Sequence, residues 1–268
     1  MNFQPKLKEV EMKNMVKNIC AAMVISLCAA GHLSATENNP NNDNKFMEEN
    51  LNLTQEWDKT FPQSDKVDHK KITFHNRYGI TLAADLYVPK NVTGKLPAIA
   101  ISGPFGAVKE QASGLYAQTL AERGFLTIAF DPSYTGESSG QPRYVASPDI
   151  NTEDFSAAVD YLSTRDDVDA ERIGILGICG WGGMALNAAA IDTRIKATVT
   201  VTMYDMSRVN ANGYFDSMNA DARHELRRQL NAQRTEDYRN GTFALGGGVV
   251  DPLPADAPQF VKDYHAYY

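Results

Sequence analysis

The feature that most constrains the fold is an alternation of short apolar runs with amphipathic stretches between residues 96 and 202. The apolar runs are "LPAIAISG" (96–103), "FLTIAFD" (125–131), "RIGILGI" (172–178) and "IKATVTVT" (195–202). Segments with helical spacing separate them, at 110–124, 151–169 and 181–192. Strands joined through helices run parallel and are covered on both faces. The sequence therefore predicts an α/β protein with a doubly wound, mostly parallel sheet.

The flanking segments add an edge and a helical extension. "KITFHNRYGITLAADLYVP" (71–89) predicts two strands around a turn at Tyr78-Gly79, which would form an antiparallel edge. We expect the helix within 151–169 to be capped by Asn151 or Thr152, and residues 165–171 to be a solvated loop. After Met203 the sequence predicts one charged helix (217–240) and no further long buried strand.

The N-terminus is typical of an exported protein. Lys13 and Lys17 precede an apolar stretch (19–30) and small residues up to Ala35, so residues 1–35 are predicted to be a signal peptide. Such a short stretch would not hold the mature chain in a membrane. The asparagine-rich residues that follow predict a linker and lead-in over 36–69. We therefore expect a periplasmic or extracellular protein, with its start at Met1 or Met12.

The net charge and the number of cysteines limit the function classes that fit this sequence. A formal net charge of −7 argues against a nucleic-acid partner. Removal of a signal peptide would take away Cys20 and Cys28 and leave Cys179 as the single cysteine. A lone thiol in an oxidising compartment is either a small buried core residue or a reactive group.

The surroundings of Cys179 favour a nucleophile. In "GICGWGG" (177–183) the cysteine stands between a predicted strand and a predicted helix. Such a turn exposes the side chain above the sheet, and the helix N-terminus favours negative charge there. The next backbone N–H, that of Gly180, can point at an oxyanion. Small residues are needed in so crowded a turn, and four glycines provide them: Gly177, Gly180, Gly182 and Gly183.

Together these segments resemble the α/β-hydrolase superfamily, and in particular its dienelactone-hydrolase and acyl-esterase branch. The resemblance covers roughly residues 70–240, and "SGPFG" (102–106), "FDPSYTGES" (130–138) and "GICGWGG" follow successive strands in the expected order. It implies a hydrolase of ester or related acyl bonds in small molecules, without a cofactor. It also implies that Cys179 is the nucleophile and that the N–H groups of Gly180 and Phe105 form the oxyanion hole. The hydrolase domain would span 70–268, with 203–260 as a lid or cap.

The sequence departs from the family pattern in two places. Trp181 occupies a position where the turn prefers a small residue. The family places an acid and then a histidine after later strands, yet His224 lies in a charged helix and His265 follows no predicted strand. His69 and His75 precede the nucleophile. The sequence thus predicts a hydrolase that stops before its last two strands, lacks a triad and has little activity.

Two other function classes stay open at this point. Without a histidine, the chain could be a non-catalytic binding module or pseudoenzyme. "GWGGMA" (180–185), followed by Asp205 at the end of the next strand, weakly matches a Rossmann-type oxidoreductase. No metal site is predicted, because His69 and His75 have no partners at ligand spacing.

Overall fold

The structure, a computed structural model, describes residues 49–246 and 252–267. The predicted signal peptide and the first part of the predicted linker lie outside these residues. Within the described part of the chain, no helix is both long and apolar enough to cross a membrane.

The centre of the fold is a six-stranded mixed sheet with the order β1-β2-β4-β3-β5-β6. The pairs β1–β2 and β2–β4 are antiparallel, whereas β3, β4, β5 and β6 run parallel to one another. The strands are β1 (Val67–His75), β2 (Thr81–Pro89), β3 (Leu96–Ser102), β4 (Leu126–Phe130), β5 (Val168–Ile178) and β6 (Ile195–Val201).

Helices connect the parallel strands and then follow the last one. The connecting helices are α1 (Ala112–Ala121), α2 (Pro148–Ser163) and α3 (Gly180–Ile191). After β6 come α4 (Met206–Asn212), a single 3₁₀ turn (Tyr214–Asp216), α5 (Ala220–Asn240) and α6 (Gln259–Tyr267). In the described residues after β6 there is no further strand, as the sequence predicts.

The core lies on both faces of the sheet because side chains of the buried strands alternate between them. In β3, Ala98 and Ala100 face a cluster built with Phe155 of α2 and Ala185 of α3. Ile101 of the same strand faces the opposite cluster, which includes residues of α1. Helices therefore cover both faces, and the predicted doubly wound α/β fold is confirmed.

Two predicted boundaries are wrong, and both errors have a local cause. Helix α2 is capped by Ser147, with Pro148 at its first turn, rather than by Asn151 or Thr152. The Asn151 side chain instead reaches back and accepts a hydrogen bond from the Ser147 N–H at 2.8 Å. The predicted solvated loop 165–171 includes the start of β5, because Val168 is buried and pairs with Leu96 of β3.

The lead-in segment, which we define as residues 49–66, packs along the β1–β2 end of the sheet. Phe61 is buried, and the edge of its ring meets the Trp57 ring at a centroid distance of 5.7 Å. Gln118 of α1 holds this segment by donating to the Pro62 carbonyl at 3.0 Å and accepting from the Ser64 N–H at 3.0 Å. Side chains from outside the segment thus fix a stretch that has no regular secondary structure.

Candidate active site

Cys179 stands at the turn between β5 and α3, where its backbone has φ 58° and ψ −127°. A side chain larger than glycine rarely adopts a positive φ, and such strain costs about 1–3 kcal/mol. Backbone hydrogen bonds hold the turn: the Cys179 N–H donates to the Val201 carbonyl at 2.9 Å, and the Gly182 N–H donates to the Cys179 carbonyl at 3.0 Å. The predicted strand–turn–helix setting is therefore present, with the thiol partly exposed.

Small residues around the turn are required by the close approach of backbone at Gly177 and of a side chain at Gly180. A Cβ added at Gly177 would lie 2.3 Å from the Trp181 carbonyl oxygen. A Cβ added at Gly180 would lie 2.0 Å from Cε2 of Phe105. Both distances are too short for any real contact, so larger residues would force the turn open.

Trp181, which departs from the expected pattern, is accommodated by the core. Its side chain is 3% exposed, and its ring meets that of Phe105 edge to face at a centroid distance of 4.4 Å. Its indole Nε1 is buried and has no hydrogen-bond partner in the described residues. The turn tolerates a large residue here because the ring packs between the β3 loop and the core.

The loop after β3 brings Phe105 onto the same turn. The ring of Phe105 lies directly over Gly180, the residue that follows the cysteine. The two segments predicted to form the oxyanion hole are therefore in contact. That the N–H groups of Phe105 and Gly180 converge on one point stays a prediction.

Two cavities flank this contact between Phe105 and Gly180. One, of about 400 Å³, is lined mainly by apolar side chains around Gly180, among them Met184, Met203, Tyr204 and Met206, with Asp205 also on its wall. The other, of about 330 Å³, is lined by Phe105, Trp181, Val108, Tyr144, Val145 and Ala146. Both volumes suit small organic molecules.

The segment after β6 also lies close to Cys179. Burial raises the pKa of Tyr214, and the neighbouring groups Tyr204, Cys179 and Tyr264 raise it further. The rings of Tyr204 and Tyr214 meet edge to face at a centroid distance of 6.1 Å. This part of the predicted lid segment 203–260 therefore contributes tyrosines to the surroundings of the cysteine.

A buried ion network, which the sequence reading missed, lies beside the Phe105 loop. We define it as Asp58, Lys71, Lys109, Glu110, Asp131 and Glu137. The fully buried Lys109 ammonium lies 2.8 Å from Asp131 and 2.7 Å from Glu137. Lys71 lies 2.8 Å from Asp58 and 2.7 Å from Glu137.

The charges of this network stabilise one another. Burial alone would lower the pKa of Lys109, but the carboxylates of Asp131 and Glu110 outweigh it and raise the pKa. Burial would raise the pKa of Glu137, but hydrogen bonds from Lys109 and Lys71 lower it to about 2. Oxygens of Asp58, Glu110 and Glu137 lie within 4.8 Å of one another, as in a metal site. The ammonium groups of Lys71 and Lys109 bind these oxygens, however, so the three carboxylates pair with lysines.

The four histidines of the described residues lie on β1, α5 and α6. His69 lies on β1, where its Nε2 is 2.8 Å from the buried Asp85, and three strands separate β1 from β5 in the sheet order. His75 ends β1. His224 is an exposed residue of α5, and His265 belongs to α6. Neither of the last two follows a strand in the described residues after β6.

The strand order decides between the two predicted enzyme classes. A dinucleotide-binding sheet has the order 3-2-1-4-5-6, with the glycine-rich turn after its first strand. Here the glycine-rich turn follows β5, and β2 is antiparallel to its neighbours. A mixed sheet with a strained turn between the end of a strand and the start of a helix fits the α/β-hydrolase fold.

Comparison with known proteins gives the family. Residues 78–245 match the family model of the X-Pro dipeptidyl-peptidase (S15 family). The chain therefore belongs to the S15 family of α/β hydrolases. The match spans β2 to β6, the turn at Cys179 and all of α5, and it leaves out β1.

Individual relatives agree with this fold. Protein PA2218 of Pseudomonas aeruginosa, described as uncharacterized, is 60% identical over 92% of this chain and 66% of its own length. Its crystal structure superposes with a TM-score of 0.78 at 65% identity, covering 82% of this chain and 69% of that one. YcjY of Escherichia coli, also described as uncharacterized, is 43% identical over 66% of this chain and 59% of its own length.

A third relative has a described activity. The thiohydrolase aneE of Aspergillus aculeatus is 30% identical over 52% of this chain and 42% of its own length. The chain thus spans about two thirds or less of the curated relatives that it matches.

Proposed function

We propose that the protein transfers acyl groups from small-molecule esters or thioesters to water, with Cys179 as the nucleophile. The observation that carries this proposal is the strained backbone of Cys179 between β5 and α3, at φ 58°. Membership of a hydrolase family and similarity to a thiohydrolase support it. No cofactor is needed for this chemistry.

The reaction would proceed through a covalent intermediate. The Cys179 thiolate attacks the carbonyl carbon, and the resulting oxyanion accepts hydrogen bonds from the N–H groups of Gly180 and Phe105. The bond to the leaving alcohol or thiol breaks, and that group takes a proton from solvent. Water then attacks the acyl-cysteine thioester, releases the acid and restores the thiol.

The two cavities favour uncharged, largely apolar substrates. They lie on either side of the contact between Phe105 and Gly180, so the acyl part and the leaving group can occupy one each. Most of their lining side chains are aliphatic, aromatic or methionine.

We propose further that this chain hydrolyses its acyl substrate slowly. Proton transfer to a leaving group and from the attacking water normally requires a positioned base, which contributes about 10²–10⁴-fold. The exposed position of His224 on α5 supports this proposal.

A steady-state assay tests the proposal of slow turnover. The purified chain should hydrolyse a short-chain acyl ester barely above background, and Cys179→Ala should lower this rate only slightly. Robust turnover abolished by Cys179→Ala would retain the nucleophile but contradict slow turnover. His224→Ala would then show whether that histidine is the base.

A non-catalytic binding module is the second candidate, favoured by the same histidine positions. A thiol-directed or fluorophosphonate probe separates the two, because only a competent nucleophile turn accelerates labelling at Cys179. An inert thiol, labelled no faster than in the unfolded chain, would support the binding module.

Export is a separate proposal that rests on the sequence of residues 1–35. It places the mature protein in the periplasm or outside the cell, with its N-terminus near Thr36. Mass spectrometry of the protein isolated from its own cells tests this. An intact terminus at Met1 or Met12 would contradict export by cleavage.

A further inference from the structure

Lys109 lies four residues after Phe105, and its side chain is fully buried. A lysine is almost never buried unless its charge is paired. Its ammonium group is 2.6 Å from Glu110, 2.8 Å from Asp131 and 2.7 Å from Glu137. Its backbone N–H also donates to Asp131 at 2.8 Å. The loop that carries Phe105 is thus tied at one end to the loop that follows β4.

We propose that Lys109, together with Asp131 and Glu137, is a positioning device for the oxyanion hole, fixing the β3 loop so that the Phe105 N–H faces Cys179. This inference rests on the proposed function, because it assumes an acyl intermediate at Cys179. None of these three residues lines either cavity, so they would act on the reaction through the loop.

The geometry of Asp131 explains how one side chain can fix two loops. One carboxylate oxygen accepts from the Lys109 N–H, and the other accepts from the Lys109 ammonium and, at 2.9 Å, from the Glu137 N–H. Hydrogen bonds to a charged carboxylate are directional and strong, whereas apolar contacts allow sliding. The backbone turns within the Phe105 loop are short: the Ala107 N–H donates to the Pro104 carbonyl at 3.2 Å, and the Gln111 N–H donates to the Val108 carbonyl at 3.0 Å.

Glu137 extends this support to the lead-in segment. One of its oxygens accepts from both Lys109 and Lys71, at 2.7 Å each, and the other accepts from the Thr54 N–H at 2.7 Å. Lys71 in turn binds Asp58 of the same segment. The lead-in segment, the β1 strand and the loops after β3 and β4 therefore meet at one carboxylate.

Glu137→Gln is the sharpest variant, because it keeps the size of the side chain and removes one acceptor. The new amide must face either the Thr54 N–H or the two ammonium groups, so donors would oppose each other. Glu153→Gln is the matched control: Glu153 also accepts a backbone N–H, from Arg77 at 3.2 Å, but belongs to α2, away from the ion network. Lys109→Met is less suitable, since it would leave a buried charge unpaired and endanger folding.

Two rates at Cys179 distinguish positioning from a general structural defect. Acylation by a short-chain acyl thioester requires the oxyanion hole, whereas alkylation by iodoacetamide does not. Both can be followed by intact mass spectrometry in a single turnover. We expect Glu137→Gln to slow acylation about tenfold to a hundredfold, to leave alkylation within about twofold of the wild type, and Glu153→Gln to change neither.

The outcomes separate this inference from the proposed function. If the wild type is not acylated at Cys179, the proposed function fails. If the wild type is acylated and Glu137→Gln matches Glu153→Gln, the positioning inference is wrong. Equal loss of acylation and alkylation in Glu137→Gln would also overturn it, because the defect would then lie in the cysteine turn itself.

Discussion

Where the lead-in segment meets β1, β2 and the loops after β3 and β4, charged side chains are buried and paired, whereas at the β6 end of the sheet apolar side chains are exposed. In the first region Lys59, Lys109, Asp85 and Asp131 lie beneath the surface. At the other end Val199 is 51% exposed, and in the described residues no strand pairs with the outer side of β6. An apolar hollow of about 550 Å³ continues from β6 across the sheet to Leu120 of α1.

This difference shows that the polarity of a side chain does not by itself decide whether it is buried. Charges can be buried where several loops converge and satisfy every group, as around Lys109. Apolar strand residues remain exposed at β6 because nothing in the described chain packs over them. An unpaired, apolar strand edge is a template for association.

The largest difference between the two ends should appear when each loses a lysine. Lys109→Met should destabilise the protein by about 3–5 kcal/mol, because it leaves buried carboxylates without a partner. Lys196→Met at β6 should change stability by less than about 1 kcal/mol, since Lys196 is exposed and lies 3.4 Å from an exposed Glu171. Urea unfolding of both variants measures the contrast, and similar losses would contradict it.

Apolar truncation should show the same contrast with a smaller effect. Phe61→Ala should cost about 3 kcal/mol, because this buried ring anchors the lead-in segment against Trp57. Val199→Ala should stay within about 0.5 kcal/mol of the wild type. A large loss in the Val199 variant would show that β6 is covered in solution.

Acid should destabilise the protein by protonating Asp58 and Glu137 of the ion network. Burial would raise the pKa of Asp58, but Lys59 and Lys71 outweigh it and lower the pKa to about 2; the pKa of Glu137 is also about 2. Because both values lie below those of the unfolded chain, their stabilising effect is complete above the unfolded pKa and is lost as pH falls towards 2.

Unfolding free energies measured across this acid range test the prediction. Glu137→Gln should flatten the loss of stability between about pH 5 and pH 2. Asp216→Asn is the control: at high salt it should leave the loss of stability in acid unchanged. Asp216 forms an exposed pair with Arg208, and salt screens such a pair. Unchanged acid sensitivity in Glu137→Gln would show that the ion network does not govern it.

A charge placed on β6 should have the smallest effect on folding. It should nevertheless change the self-association of the protein measurably. Val199→Lys should reduce self-association in concentrated solution, because charged residues protect strand edges. Tyr78→Lys, at an exposed turn of the β1–β2 end, should leave association unchanged. Light scattering of the three proteins is the measurement, and equal values would contradict an open β6 edge.

The sequence sufficed for elements whose pattern is local. Strands β3 and β4 are continuous apolar runs, and α5 ends where its glycine, Gly241, adopts a left-handed conformation. The turn at Cys179 was equally predictable, since strand, small residues and helix stand side by side. In each case neighbouring residues determine the structure.

The ion network could not be predicted in this way. Lys109, Asp131 and Glu137 are charged residues in loops, and such residues are normally exposed. Their burial depends on Thr54 and Lys71, which are distant in sequence. The start of β5 at Val168 was missed for the same reason: acidic neighbours suggested solvent, whereas pairing with β3 decides its state.

The most direct test of the whole account is the location of an acyl group after exposure to a small acyl thioester. We predict one acyl group per chain, found by peptide mapping on Cys179, that forms in the wild type and is absent from Cys179→Ala. Its hydrolysis should be slow enough for the adduct to accumulate. A wild-type chain that gains no acyl group, or a Cys179→Ala variant that gains one equally well, would contradict the account.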